Sequence, residues 1–175
     1  MNKQKLAMSI EVRAVQINDV ESLMEVLDSI ELFPSEMLDD MIEDYFSNEE
    51  SMDIWFTAVK DGIPISLGYC APERLTESTF NLYAIGVRKD LQGEGIGMKM
   101  MGYLEDVLKE KGDRILIVET SGSDDFRLTR LFYEKLGYTK EAVIRDFWTA
   151  GDDKVIYWKK INAWNTAPTS TGSIA

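Results

Sequence analysis

The chain has no histidine, a single cysteine, Cys70, and four prolines in 175 residues. Each scarcity removes a class of chemistry. Without histidine there is no Ser-His-Asp triad or Cys-His nucleophile pair, and the commonest metal ligand is missing. A zinc site is close to excluded on ligand type, and no DxDxDG-like spacing offers a calcium loop, so no metal is expected. One thiol forms no internal disulfide and fits a reducing compartment, with a small buried strand residue as the plain reading of Cys70. Basic residues are also few: 19 Lys and Arg stand against 31 Asp and Glu, a formal net charge of −12. Such a field repels phosphate backbones and anionic headgroups, so neither nucleic acid nor a membrane is an expected partner. Long apolar runs are absent, and the opening MNKQKLAMSIEVR has no apolar block of signal-peptide length, so a cytoplasmic location is expected. Chemistry is left to carboxylates, Tyr, Lys, Ser and Thr, the one thiol and the backbone.

What remains is 45% apolar, enough for one continuous core. One domain over 10–161 is expected, after a short lead at 1–9 and before a loose tail at 162–175 that lacks periodicity. IEVRAV at 10–15 alternates as a half-buried strand does, and Asp19 opens a helix carried by Val20, Leu23, Met24, Leu27 and Ile30. Pro34-Ser35 starts a second helix running to about Phe46, with an apolar stripe and an acidic band of Glu36, Asp39, Asp40, Glu43 and Asp44. IWFTAV and IPISLGYC form a hairpin across KDG, and TFNLYAIGVR is a further strand. Next comes an amphipathic helix from about Gly97 to Lys111, with Met98, Met101, Leu104 and Leu108 on its buried side. RILIVE at 114–119 reads as a central strand covered on both faces, a helix runs from about Phe126 to Leu136 before Gly137, and AVIRDFW with KVIYWKK closes the chain as a hairpin. Interleaved in this way, the elements imply a mixed sheet with helices on both faces.

LQGEGIG at 91–97 lies between a strand and a helix start, where backbone N–H groups and the positive end of a helix dipole suit a phosphate. The dinucleotide spacing G-x-G-x-x-G fails, because the sixth position is Met98 or Met100, and no G-K-[ST] of a Walker loop follows. A tight strand-to-helix connection explains bare glycines equally well. The register Q-x-x-G-x-G of Gln92, Gly95 and Gly97, followed in order by LFYEKLGY at 131–138, resembles the GNAT superfamily of N-acetyltransferases over roughly residues 10–161.

That resemblance implies a single α/β (α+β) domain whose central mixed sheet of six to seven strands is splayed between two parallel strands. It implies acetyl-CoA as the cofactor, its diphosphate held by the loop from Gln92 through Gly93, Glu94, Gly95, Ile96 and Gly97 to Met98. The strand end Ile85-Gly86-Val87 would hydrogen-bond the pantetheine arm, with Gly86 either letting the thioester lie against the strand or marking a bulge. Tyr133 matches the family tyrosine that protonates the departing sulfur. Where many relatives have N-x-x-A-x-x-L-Y, this chain has Phe126 and Thr129 after SGSDD, so the asparagine contact is not expected and Thr129 is carried over as lining the cofactor. TFNLYAIGV contains no carboxylate for the base found on that strand in many relatives; the nearest upstream is Glu77, and Glu119 at the end of the next strand is the first candidate.

In the family the early helices and the final hairpin form the acceptor pocket, which points to Glu36, Asp40 and Asp146 for a cationic amine. A solvated helix face and an Asp-rich turn explain the same acids. The expected function is acetyl transfer from acetyl-CoA directly to a primary amine of a small molecule or peptide. The alternative is a non-catalytic CoA-binding sensor or interaction module, since fold alone does not separate the two. Family habit adds a homodimer as an expectation.

Overall fold

The computed structural model describes residues 9–30 and 32–163, so most of the expected lead and tail lies outside the described residues. Strands β1 (Glu11–Ala14), β2 (Ile54–Lys60), β3 (Ile63–Pro64), β4 (Ser66–Pro72), β5 (Thr79–Val87), β6 (Ile115–Ser121), β7 (Thr139–Thr149) and β8 (Asp152–Lys160) form one sheet. Its order is β1-β2-β4-β5-β6-β8-β7, with two-residue β3 paired to the end of β2, and β5–β6 is the parallel pair. This is the expected mixed α/β class. β3 exists because the β2–β4 ladder slips by one residue, and side chains repair the slip: Thr57 donates to the Ser66 carbonyl at 2.6 Å and Ser66 Oγ accepts from Ala58 N–H at 2.6 Å.

Helices α1 (Val20–Ile30) and α2 (Leu38–Ser47) cover one face, packing Leu23, Leu27, Leu38 and Ile42 on Trp55, Leu67 and Ala84. Helices α3 (Ile96–Lys111) and α4 (Arg127–Lys135) cover the other, where Met100, Met101, Leu104 and Leu108 meet Phe56, Phe80, Leu116 and Val118. Eleven-residue α1 is shorter than the roughly 12–15 residues below which an isolated helix is marginal. Burial of Leu23, Val26 and Leu27, each contributing about 1.5–3 kcal/mol, therefore holds it. Cys70 is buried in β4, where desolvation pushes its thiol well above the ordinary range.

Two details depart from the sequence reading. The buried stripe of α3 starts at Ile96 and steps to Met100, Leu104 and Leu108, which leaves Met98 59% exposed rather than in the core. β6 is also not covered on both faces: Leu116 and Val118 are buried, whereas Ile115, Ile117 and Glu119 are half-buried. The reason is that the α1–α2 layer packs on β2, β4 and β5 and stops short of β6.

The sheet opens at its centre. β5 and β6 pair through Leu82 and Val118 and no further, although both strands continue. At that point β5 bulges against β4, with Tyr69 opposite Ala84 and Cys70 opposite Leu82, so Tyr83 is the extra residue. A bulge bends its strand and sharpens the twist, which carries the far end of β5 away from β6.

Asp19 fixes the entry to α1. It accepts two bonds from Arg13, at 2.6 and 3.0 Å, and one from Gln16 N–H at 2.8 Å. These bonds, Arg13 foremost, hold its carboxyl below the usual range against the opposing cost of burial. Asp19→Ala is expected to lower stability by about 2 kcal/mol at neutral pH, the scale of hydrogen bonds to a charged group. Because the native pKa is depressed, this contribution is complete above the ordinary carboxylate range and disappears as pH falls through the native value. Urea unfolding of both proteins at pH 7 and near pH 2 checks both the size and the sign.

Candidate functional site

Beyond Val87 the chain turns through a short 3-10 segment, Lys89–Leu91, pinned by buried Leu91 and by an Arg88–Asp90 ion pair at 2.7 Å. Gln92 then reaches back, its Nε2 donating to the Val87 carbonyl at 3.0 Å. This side chain ties the loop to the strand end. Gly93 and Gly95 have φ of +84° and +79°, a left-handed backbone that L side chains rarely adopt, and nothing lies within 4 Å of where a Cβ would stand on either. Gly97 is different: its φ is ordinary, and an added Cβ would meet the Phe132 ring at 3.4 Å.

Gly95 is the N-cap of α3, and the first backward bond of the helix runs from Lys99 N–H to Gly95 C=O at 3.3 Å. The N–H groups of Ile96, Gly97 and Met98 therefore have no acceptor within the helix. They open with the helix dipole onto a cleft of about 630 Å³. One wall is Ile85, Gly86 and Val87, the floor is the glycine loop, and the other wall is α4 from Leu128 to Lys135, including Thr129 and Tyr133. The cleft collects every expected cofactor residue except Glu94, whose exposed side chain lies outside it. Sequence reasoning missed Leu91, Leu128, Leu131, Phe132 and Lys135, which line the same space. The legible sign was Leu128, Leu131 and Phe132 at helical spacing beside Tyr133, more apolar residues than one buried stripe of α4 uses.

Gly86 has a structural reason of its own, and it is not the bulge, which falls at Tyr83. A Cβ there would overlap Ile30 Cδ1, so the missing side chain makes room for the Ile30 side chain at the end of α1. Its backbone still faces the cleft, on the edge of β5 that β6 has left unpaired.

Tyr133 is 3% exposed, wedged among Phe132, Tyr138 and Tyr157 at ring separations of 5.3, 5.8 and 5.8 Å. Burial pushes its phenol well above the ordinary value. Among the described residues no group hydrogen-bonds its hydroxyl, which leaves a protonated donor at the cleft wall.

Glu119 stands one residue past the last β5–β6 pair, at the mouth of the splay. Lys154 of β8 binds it at 3.1 Å, and the same ammonium lies 3.7 Å over the Phe147 ring. The three acids expected on the acceptor side do not share a cleft. Glu36 borders a separate hollow of about 460 Å³ with Leu27, Asp28 and Phe33, while Asp40 is exposed on α2 outside it. Asp146 serves the β7–β8 turn: its carboxylate accepts from Gly151 N–H at 2.7 Å, and its own N–H donates to Asp153 at 3.0 Å. Among the described residues no cluster of three or more Cys, Asp or Glu could hold a metal ion, and no helix is long and apolar enough to cross a membrane.

A family model described as the acetyltransferase (GNAT) family matches residues 19–138. No curated protein matches. A crystal structure from Desulfovibrio desulfuricans, assigned to the GNAT acetyltransferases, superposes with a TM-score of 0.81 at 28% identity, covering 88% of this chain and 100% of that one. The ribosomal-protein-S18-alanine N-acetyltransferase of Escherichia coli does so at 0.73 and 18%, covering 91% and 98%. An aminoglycoside 6'-N-acetyltransferase complexed with coenzyme A gives 0.73 and 16%, covering 88% and 98%. The last two likenesses show the fold.

Proposed function

The chain belongs to the GNAT family of acetyltransferases, and from that premise we propose that it transfers the acetyl group of acetyl-CoA directly to a primary amine of a small molecule or peptide. The observation that carries this reading is the convergence of three features on one cleft: the open edge of β5, the unpaired N–H groups at the start of α3, and the unpartnered Tyr133 hydroxyl. The residues suit acetyl-CoA. Gly93 and Gly95 leave open space in front of the α3 N-terminus, where a diphosphate fits, and Lys135 adds a cation to the wall. The backbone of Ile85–Val87 supplies ladder positions for an extended amide-bearing arm, and Leu128, Leu131 and Phe132 supply its apolar cover.

Acetyl-CoA brings an activated thioester, so the chain must position it, receive an uncharged amine and manage two protons. Tyr133 serves as the acid. Its hydroxyl gives a proton to the sulfur as the C–S bond breaks, and its apolar surroundings keep it protonated at any working pH. The coenzyme A bound to the aminoglycoside N-acetyltransferase and the likeness to the Escherichia coli N-acetyltransferase support the reaction class.

A screen of diverse primary amines with acetyl-CoA, read by free-thiol release, tests the reading. The expected result is amine-dependent thiol release for at least one class. Tight acetyl-CoA binding with no turnover across the screen would instead make the chain a CoA-binding module.

A further inference from the structure

The cleft occupies the α3–α4 side of the splay, which leaves the other side, between Tyr83 of β5 and Glu119 of β6, for an acceptor. These are the first residues past the last parallel pair, Leu82 and Val118. Glu119 is held there by Lys154. A second carboxylate on the same face is differently placed. Glu73, at the end of β4, accepts on Oε1 from Asn81 Nδ2 at 2.7 Å and from the Tyr83 hydroxyl at 3.3 Å, while Oε2 has no partner among the described residues.

Its supports are built for that purpose. Asn81 is 1% exposed, and its Oδ1 is buried without a partner among the described residues. A buried orphan acceptor is unfavourable, so keeping the amide nitrogen on Glu73 is done at the expense of stability. Flipping the amide would set its oxygen against the carboxylate. Tyr83 is 53% exposed and stacks on Tyr69, which stacks on Trp55, at ring separations of 5.7 and 4.2 Å. This aromatic stack buries Trp55 and covers Tyr69 on both sides, and leaves Tyr83 as its exposed end at the splay. Tyr83 feels both Glu73 and Glu119, the latter held by Lys154 of β8, and Tyr69, next along the stack, is bonded to Asp53.

We propose that Glu73, oriented by Asn81 and Tyr83, receives the acceptor as an alkylammonium ion and removes its proton, directly or through one water. The proposal rests on the acetyltransferase reading. The ammonium loses one proton to the Glu73 carboxylate, and the freed nitrogen lone pair forms the C–N bond at the thioester carbonyl. The C–S bond then breaks with its electron pair on sulfur, which takes the proton of Tyr133. The nitrogen's second proton restores Tyr133, and Glu73 returns its proton to solvent. The products are the acetamide, the free thiol and one proton. An alkylammonium near pKa 10.4 is almost wholly charged at pH 7, so transfer there requires this proton to be removed.

The test compares wild type with Glu73→Gln and Glu73→Asp, using 1,4-diaminobutane, lysine amide and an alanyl peptide as acceptors. For the acceptor that wild type uses, kcat/KM of Glu73→Gln should fall about 10²–10³-fold at pH 7, with KM for acetyl-CoA and the melting temperature unchanged. The deficit should shrink about tenfold per pH unit toward pH 9, because the variant depends on amine that is already neutral. Glu73→Asp should recover part of the rate and the flat profile of wild type. A loss independent of pH, or no loss, overturns the role of Glu73 while leaving the acetyltransferase reading intact. A wild type that turns over no amine of the screen, these three included, yet binds acetyl-CoA, overturns both.

Discussion

Tyr133→Phe is expected to lower kcat about 10²–10⁴-fold while the fold and the affinity for acetyl-CoA stay close to wild type. The substitution keeps the ring, and with it the contacts to Phe132, Tyr138 and Tyr157 that bury it. It deletes one hydroxyl that has no protein partner among the described residues, so nothing in the core is left unpaired. If that hydroxyl meets the sulfur only as the C–S bond breaks, its contribution belongs to the transition state and is invisible in ground-state binding. Burial also predicts the pH behaviour: the phenol is raised, so it stays protonated and adds no ionisation step to the wild-type profile near neutrality. A thiol of ordinary pKa about 8.5 leaves slowly unaided, and residual activity of the variant should rise with a more acidic leaving thiol. A kcat within threefold of wild type would make Tyr133 a packing residue.

Gly95→Val should abolish most of the stabilisation that acetyl-CoA gives, about 2.7 kcal/mol at 100 times Kd, and raise KM for acetyl-CoA in parallel. Two effects must be separated. At φ +79° a β-branched residue strains the backbone wherever it stands, whereas the valine side chain at this position also fills the space before the α3 N-terminus. Gly112, the C-cap at the other end of the same helix, offers the control, since its φ is +82° and a Cβ there also meets nothing within 4 Å. Gly112→Val should lower the melting temperature by a comparable amount yet keep the full acetyl-CoA shift. Equal shifts in the two variants would remove the loop from the binding site.

The parts of the site legible in the sequence are those built from neighbours in the chain. The glycine loop and the α4 tyrosine each sit in a short motif whose spacing carries the geometry, so most of the lining of the cleft followed from residues 85–98 and 129–133. Even there Met98 slipped: Met101, Leu104 and Leu108 of the expected stripe are buried, but Ile96, two residues earlier, and not Met98 begins it. The acceptor side was illegible for a different reason. Glu119 meets Lys154 only because β6 and β8 are antiparallel neighbours, and Glu73 meets Asn81 and Tyr83 only across the β4–β5 pair at the bulge. Pairing partners and bulges are set by sheet register, which a single strand's pattern does not encode. Asp146 has a local role of the same kind, as the acceptor for Gly151 N–H, that appears only once the hairpin closes.

The measurement that tests the account most directly is a mass balance with isotopically labelled acetyl-CoA and an amine acceptor found by the screen. Mass spectrometry of the small molecules and of the intact protein would follow the label while free thiol is counted. Direct transfer predicts one labelled N-acetyl product for each thiol released, with no labelled protein, and loss of both signals together in Tyr133→Phe. Thiol released with the label in free acetate, or acetyl-CoA bound and returned intact with every amine, would contradict it.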